Sequence, residues 1–301
     1  MAISRAQLVK ELEPGLNALF GLEYKNYANE HAEIFDTETS DRAFEEEVML
    51  SGFANAAVKP EGQGVTFDDA QETYTARYTN ETIALAFAIT EEAIEDNLYD
   101  RLASRYTKAL ARSMANTKQV KAAAVLNNAF DSTFEGGDGV ELCSTAHPTL
   151  AGSFSNELAT PADLNETSLE QALIDIAAFT DERGLKIAAQ GTKLIIPSAL
   201  QFTADRLMAS AGRTGTADND INAIRNMGMV PQGYTVNHYL TSAKKWFVKT
   251  DVPNGLKHFV RSPIKTSMEG DFDTGNVRYK ARERYVFGFS DARGIFGSNA
   301  T

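Results

Sequence analysis

The chain has 301 residues, 43% of them hydrophobic, a net charge of -12 and one cysteine. That length and apolar content can bury one large core or two joined ones, and the acidic balance argues against a protein whose task is gripping phosphates, which needs clustered Lys and Arg. One cysteine excludes an internal disulfide framework and fits a reducing cytoplasm, no window holds the ~18 apolar residues of a membrane helix, and residues 1–7 lack the apolar run of a signal peptide.

Ser4 and Gln7 form a capping box at the start of a helix carrying Leu8, Leu12, Leu16 and Leu19. Pro14-Gly15 is expected to interrupt or kink it. Residues 21–46 show no clean period and are read as an irregular arm. From residue 48 to 89 the pattern is that of a long hairpin. Its tip, KPEGQG at 59–64, is too rich in Pro and Gly for a strand. On the returning arm Tyr74, Ala76 and Tyr78 alternate with polar residues. Farther on, Ile83, Leu85, Phe87 and Ile89 share one face and Ala84, Ala86 and Ala88 the other. A hairpin with so little core needs a partner surface, which makes Lys59, Pro60, Glu61 and Gly62 at its tip candidate contact residues.

Thr90, Glu91 and Glu92 open a helix with a capping hydroxyl and acids in its first turn. Ile94, Leu98, Leu102, Tyr106, Leu110 and Met114 follow at steps of four. No Pro or Gly occurs before Asp131, so the spacing predicts a helix roughly 60 Å long at ~1.5 Å per residue, far beyond the usual length. A Gly136-Gly137-Asp138-Gly139 turn closes the region. The second half alternates. Thr167 to Glu170 is expected to cap a helix ending near Arg183 and Gly184. Residues 193–197 (KLIIP) read as a buried strand. Ser198 and Gln201 read as a capping box for a helix to about Ala211, and 212–220 as a polar loop. Strands are predicted at 234–236 and 245–249, with no internal repeat. After a Gly275-Asn276 turn, Val277, Tyr279 and Ala281 alternate with Arg278, Lys280 and Arg282, the period of a half-buried strand. Tyr285, Val286, Phe287 and Phe289 then carry a large apolar load, so this segment is expected to close a sheet begun much earlier.

The search for chemistry returns little. Cys143 and His147 form C-x-x-x-H, a thiolate and imidazole that could pair as metal ligands or as nucleophile and base. Two ligands do not make a zinc site, and the simpler reading is a structural turn ending at Pro148. His31, His238 and His258 are scattered. The phosphate-loop pattern is absent at Gly191-Thr192-Lys193, Gly62 and Gly64 lack a third glycine, and Asp218 to Asp220 reads as a helix cap before Ile221 rather than a calcium loop. No catalytic residue, cofactor or metal is assigned. Arg278, Lys280, Arg282 and Arg284 stand apart: at period two they form a basic stripe. It faces DNA, an acidic neighbouring subunit, or solvent on an edge strand where cations discourage mispairing.

An N-terminal arm, a coreless hairpin and an outsized helix together describe an assembly subunit. Three segments sharpen that: DTGNVRYKARERYVFGFSDARGIFGS at 273–298, ELCSTAHP at 141–148 and NGLKHFVR at 254–261. In their shared order the chain resembles tailed-bacteriophage major capsid proteins, particularly Mu-type prophage head subunits. The resemblance implies an α+β Hong Kong 97-like fold, with an N-terminal arm at 1–46 and an extended loop at 47–90. A peripheral domain with a spine helix would occupy 91–190, an axial domain 191–257, and a return to the peripheral domain 258–301. It implies a non-enzymatic subunit of the icosahedral head around a double-stranded DNA genome, found in the virion and assembled in the host bacterial cytoplasm. Its partners would be itself in hexamers and pentamers, a separate scaffolding protein, a portal protein and DNA contacted non-specifically, with no membrane. The alternatives are an encapsulin-like compartment shell and, from another class, a soluble enzyme with an unrecognised site.

Overall fold

The computed structural model describes residues 5–90, 92, 99–213, 220–271 and 275–301. The first helix, α1 (Arg5–Asn26), continues through Pro14 rather than breaking there. Pro14 lies on the solvent side, and buried Leu16 and Phe20 hold the following turns in place. Ser4, the expected cap, lies outside the described residues. The stretch read as an irregular arm is more ordered than its sequence shows. After α1 come a 3-10 turn (Glu30–Glu33), β1 (Asp36–Thr39) and β2 (Phe44–Leu50). Elements of four residues are too short to display a period.

The predicted hairpin is real but shorter. β2 pairs antiparallel with β3 (Glu72–Thr79), and residues 51–71 connect them with a turn at Glu61 and Gly62 and no further strand. Residues 81–89, read as its continuation, form β4 (Glu81–Ile89) in the main sheet instead. The long helix is α2 (Tyr99–Asn127), 29 residues and about 44 Å at ~1.5 Å per residue. Its predicted start at Glu91, Ile94 and Leu98 lies outside the described residues. Of the large residues at steps of four, Leu110 and Met114 are buried as read, and small residues share the buried face with them. Tyr106 is exposed, while Ala103, Thr107, Leu110, Ala111, Met114, Ala122, Ala123 and Leu126 are buried. Small residues let the sheets approach the helix axis closely.

Beyond α2 come a β5 (His147–Thr149) and β6 (Gly152–Phe154) hairpin and helix α3 (Glu166–Ala177). Asn165, not Thr167, caps α3, its side chain accepting from the Ser168 N–H at 2.9 Å. The helix ends before Arg183; Gly184, at φ 82°, serves the turn between Thr180 and Lys186 instead. β7 (Gly191–Pro197) is buried as read. A 3-10 turn (Ser198–Leu200) leads into α4 (Gln201–Ala209), and no side chain caps either, so Ser198 does not act as predicted. The Asp218 reading lies outside the described residues; Asn222 caps the next helix, α5 (Ala223–Met227). β8 (Tyr234–Asn237), β9 (Trp246–Thr250), β10 (Leu256–Gly270), β11 (Val277–Phe289) and β12 (Ile295–Ser298) complete the chain.

Two four-stranded sheets organise the molecule. One has the order β1-β10-β11-β4, the other β12-β9-β7-β8. α2 backs both. Its first half, with α1, packs Leu110 and Met114 against Tyr279 and Ala281 of β11. Its second half packs Ala122 and Leu126 beside Ile195 and Phe247 of the other sheet. The opposite face of that second sheet is covered by α3, α4 and α5 through Leu169, Ile176, Leu207 and Ile224 around Trp246.

Candidate inter-subunit surfaces

β11 is a central strand, paired with β10 on one side and β4 on the other, so the edge-strand reading of the basic stripe is ruled out. The alternation is as predicted. Val277, Tyr279, Ala281 and Glu283 are buried, whereas Arg278, Lys280 and Arg282 are exposed and Arg284 half-buried. Register places Ala88, Ala86, Ala84 and Thr82 of β4 beside the four cations, and Lys265 of β10 directly opposite Arg282. Like charges facing each other across a ladder repel. Arg278 pairs with Asp271, but among the described residues Lys280, Arg282 and Arg284 have no ion-pair partner, and the Arg284 Nε is buried with nothing to bond. The result is a face of cations and alanines, with one acid, Glu269, opposite Arg278, while α1 and α2 pack on the other side of the sheet.

The second surface is the loop joining β2 and β3. Lys59, Pro60, Glu61 and Gly62 are all exposed at its tip, where Gln63 N–H donates to the Pro60 carbonyl at 3.3 Å. Its apolar side chains are bare, with Val58 and Phe67 each 94% exposed. The root is held firmly. Buried Lys257 pairs with Glu38 and with Glu47 at 3.4 Å. Burial opposes its charge, yet these carboxylates keep its pKa above the ordinary lysine value. Tyr74 donates to the Ser290 carbonyl at 3.1 Å, and Tyr78 and Glu47 both bond the Ser290 hydroxyl. β3 lies flush on two glycines: a Cβ at Gly137 would meet the Ala76 backbone at 2.9 Å, and one at Gly288 the Tyr78 ring at 2.6 Å. Arg183 Nη2 reaches the Asp69 carbonyl at 2.7 Å. Sequence reasoning found the tip and missed the root, whose partners lie some two hundred residues apart.

Cys143 and His147 build structure. His147 is fully buried, its Nδ1 2.6 Å from Asp138 and its Nε2 3.1 Å from the Asn156 side-chain oxygen. Asn156 also accepts from Ser144 N–H at 2.8 Å and donates to the Leu142 carbonyl at 2.7 Å. Burial pushes the Cys143 thiol well up, away from the reactive thiolate. Among the described residues no group of three or more His, Cys, Asp or Glu could hold a metal ion. A buried polar knot ties α1, α2 and β11: Lys118 Nζ lies 2.6 Å from Glu283 and donates to the Tyr24 hydroxyl at 2.9 Å. Nearby, the buried rings of His31 and His258 meet edge to face at 5.2 Å.

A coreless loop on a locked root and a largely cationic face are features of a subunit, and a family profile described as "Phage capsid protein" matches residues 73–297. The chain belongs to the phage capsid protein family. It is a structural subunit of a capsid shell, and its fold is Hong Kong 97-like. The capsid of an empty GTA particle superposes with a TM-score of 0.57 at 14% identity, over 91% of each chain. A virus-like particle from Pyrococcus furiosus gives 0.55 at 9% identity, over 95% of this capsid protein and 98% of that chain. The capsid of Myoviridae phage XM1 gives 0.53 at 10%, over 89% of each. No curated protein sequence matches it significantly. At such identities the likeness to these structures is one of fold alone.

Proposed function

We propose that this capsid protein builds the icosahedral head of a tailed phage or prophage, closing as hexamers and pentamers around double-stranded DNA in the host bacterial cytoplasm. The observation that carries this reading is the loop on its locked root, which projects bare Val58, Val65 and Phe67 away from any core of its own. Residues 44–79 then serve as the extended loop, β4, β10 and β11 with the long helix as the peripheral domain, and the sheet of β7, β8, β9 and β12 with its covering helices as the axial domain. A separate scaffolding protein and a portal would complete assembly. Many contacts of a few kcal/mol let misplaced subunits leave while the closed shell holds through multivalency.

Electron microscopy of the purified protein, alone and with its scaffold, tests this. Rings, capsomers or closed shells are expected, and a strictly monomeric protein under every condition refutes it. The likeness to a virus-like particle, rather than to phage capsids alone, keeps a shell that encloses something other than a genome as the second reading. DNA inside particles isolated from the native host supports the phage head, and a packaged enzyme in its place supports the compartment.

A further inference from the structure

A cavity of about 320 Å³ opens where residues 49–52 of the loop root meet the segment 181–189 and the turn between β9 and β10. Four carboxylates line it, Asp181, Glu182, Asp251 and Asp291, and Arg293 is the one cation among its lining residues. Glu182 and Asp291 are buried and Asp251 is exposed, so the carboxylates run from the floor of the cavity to its mouth.

Arg293 does not satisfy them all. Its guanidinium donates to Glu182 Oε1 at 2.8 Å, to Asp291 at 3.2 Å and to the Thr180 carbonyl at 2.7 Å, and it lies over the Phe154 ring. The Glu182 side chain is 4% exposed, yet its Oε2 has no hydrogen-bond partner among the described residues. A buried carboxylate oxygen without a donor is costly. Burial lifts the Asp291 pKa above the ordinary carboxylate value although Arg293 opposes it, the sign of a site short of positive charge. Arg183, next in sequence to Glu182, donates instead to the Asp69 carbonyl at 2.7 Å.

The walls select the missing cation. The acids are not gathered as metal ligands, since among the described residues no group of three or more His, Cys, Asp or Glu could hold an ion. They are spread along a cavity whose other walls include Leu50, 59% exposed, and Ile187, 37% exposed. The fitting ligand carries charge at separated points with methylene groups between them. An ammonium supplies three N–H donors, and an alkyl stem lies well along apolar surface.

We propose that this cavity binds an aliphatic diamine or polyamine, with one ammonium donating to Glu182 Oε2 at the floor, the methylenes on Leu50 and Ile187, and a second ammonium on Asp251 at the mouth. Because the loop root forms one wall and the β9–β10 turn another, the bound amine ties the two together. The site lies within one chain, so it does not depend on the shell reading and is measured on single subunits.

Isothermal titration calorimetry of the purified subunit with putrescine in low salt tests it. One putrescine per chain should bind in about the millimolar range or tighter, and butylamine, with a single ammonium, at least fivefold more weakly. Glu182→Gln keeps an oxygen for Arg293 and removes the charge, and Asp251→Asn keeps an oxygen for the Gln190 N–H. Each should weaken putrescine at least fivefold, while Glu61→Gln at the exposed loop tip leaves it unchanged. Asp251 is exposed, so its variant carries the test even where Glu182→Gln does not fold. Absence of saturable binding overturns the proposal. So does equal affinity for butylamine, or weakening by all three variants alike, which is diffuse attraction to an acidic surface. As a second measurement, putrescine should raise the melting midpoint of the parent subunit and not that of Asp251→Asn; equal shifts in both overturn the proposal.

Discussion

His258 is stacked on Phe287 at 4.2 Å, with its Nε2 buried and unbonded and its Nδ1 3.2 Å from the Thr37 hydroxyl. Burial, then the neighbouring His31 and Lys118, lower its pKa from 6.5 to about 3. A base whose folded pKa is depressed costs nothing while both states are neutral. Below 6.5 the unfolded chain takes up a proton that the folded chain refuses, so stability falls with pH until about 3, at up to about 1.4 kcal/mol per pH unit. Denaturant melts of the subunit between pH 7 and 4 should show that slope, and His258→Gln should flatten it. Some slope will persist because burial lowers His31 as well. Thr107 offers a change of the opposite sign. Its hydroxyl is fully buried in α2 with no partner among the described residues. Thr107→Val keeps the branched shape, removes the desolvated oxygen and should stabilise the subunit by about 1 kcal/mol, read as a raised midpoint in the same melts.

Elements differ in how much of them could be read from sequence. α2 and the alternation of β11 were legible because each is long enough to repeat its period several times. β1 and the 3-10 turns were not, at three or four residues each. The hairpin was half legible: its tip advertises itself through Pro and Gly, but where β3 hands over to β4 is fixed by β11, which lies about two hundred residues away. The loop root shows the same limit, since nothing around Gly137 in sequence announces that β3 will lie on it. That contact is testable. Gly137→Ala drives a methyl into the Ala76 backbone, which cannot yield as a side-chain tip would. It should cost about 1–3 kcal/mol and lower particle yield. Deleting residues 59–64 should do the reverse at the subunit level, leaving the melt unchanged while abolishing closed particles. A deletion that unfolds the subunit would show that the tip belongs to its own core.

At the scale of the whole molecule, charge is the variable that assembly must manage. The chain carries a net charge of -12, yet concentrates Lys265, Arg278, Lys280, Arg282 and Arg284 on one bare sheet face. Such copies repel one another in bulk and attract where that face meets acidic surface. Reversing Lys280 and Arg282 to Glu should raise the protein concentration needed for assembly several-fold in low salt. The defect should shrink as ionic strength shortens the Debye length. Light scattering across a salt series reads both. Normal assembly with failed DNA packaging would instead turn the face toward the genome, and no change in either would leave it a solvated surface.

The strand order β1-β10-β11-β4 also bears on synthesis. The two strands at the centre of that sheet leave the ribosome more than 160 residues after either flanking strand. β12, which borders the second sheet, follows later still. A ribosome that stalls anywhere before residue 256 therefore releases a chain with neither the middle of the first sheet nor the cationic face. Such a fragment keeps the β2–β3 loop but lacks the sheet and the cationic face that a complete subunit presents. Strand order therefore ties completion of the first sheet to the last fifth of the chain.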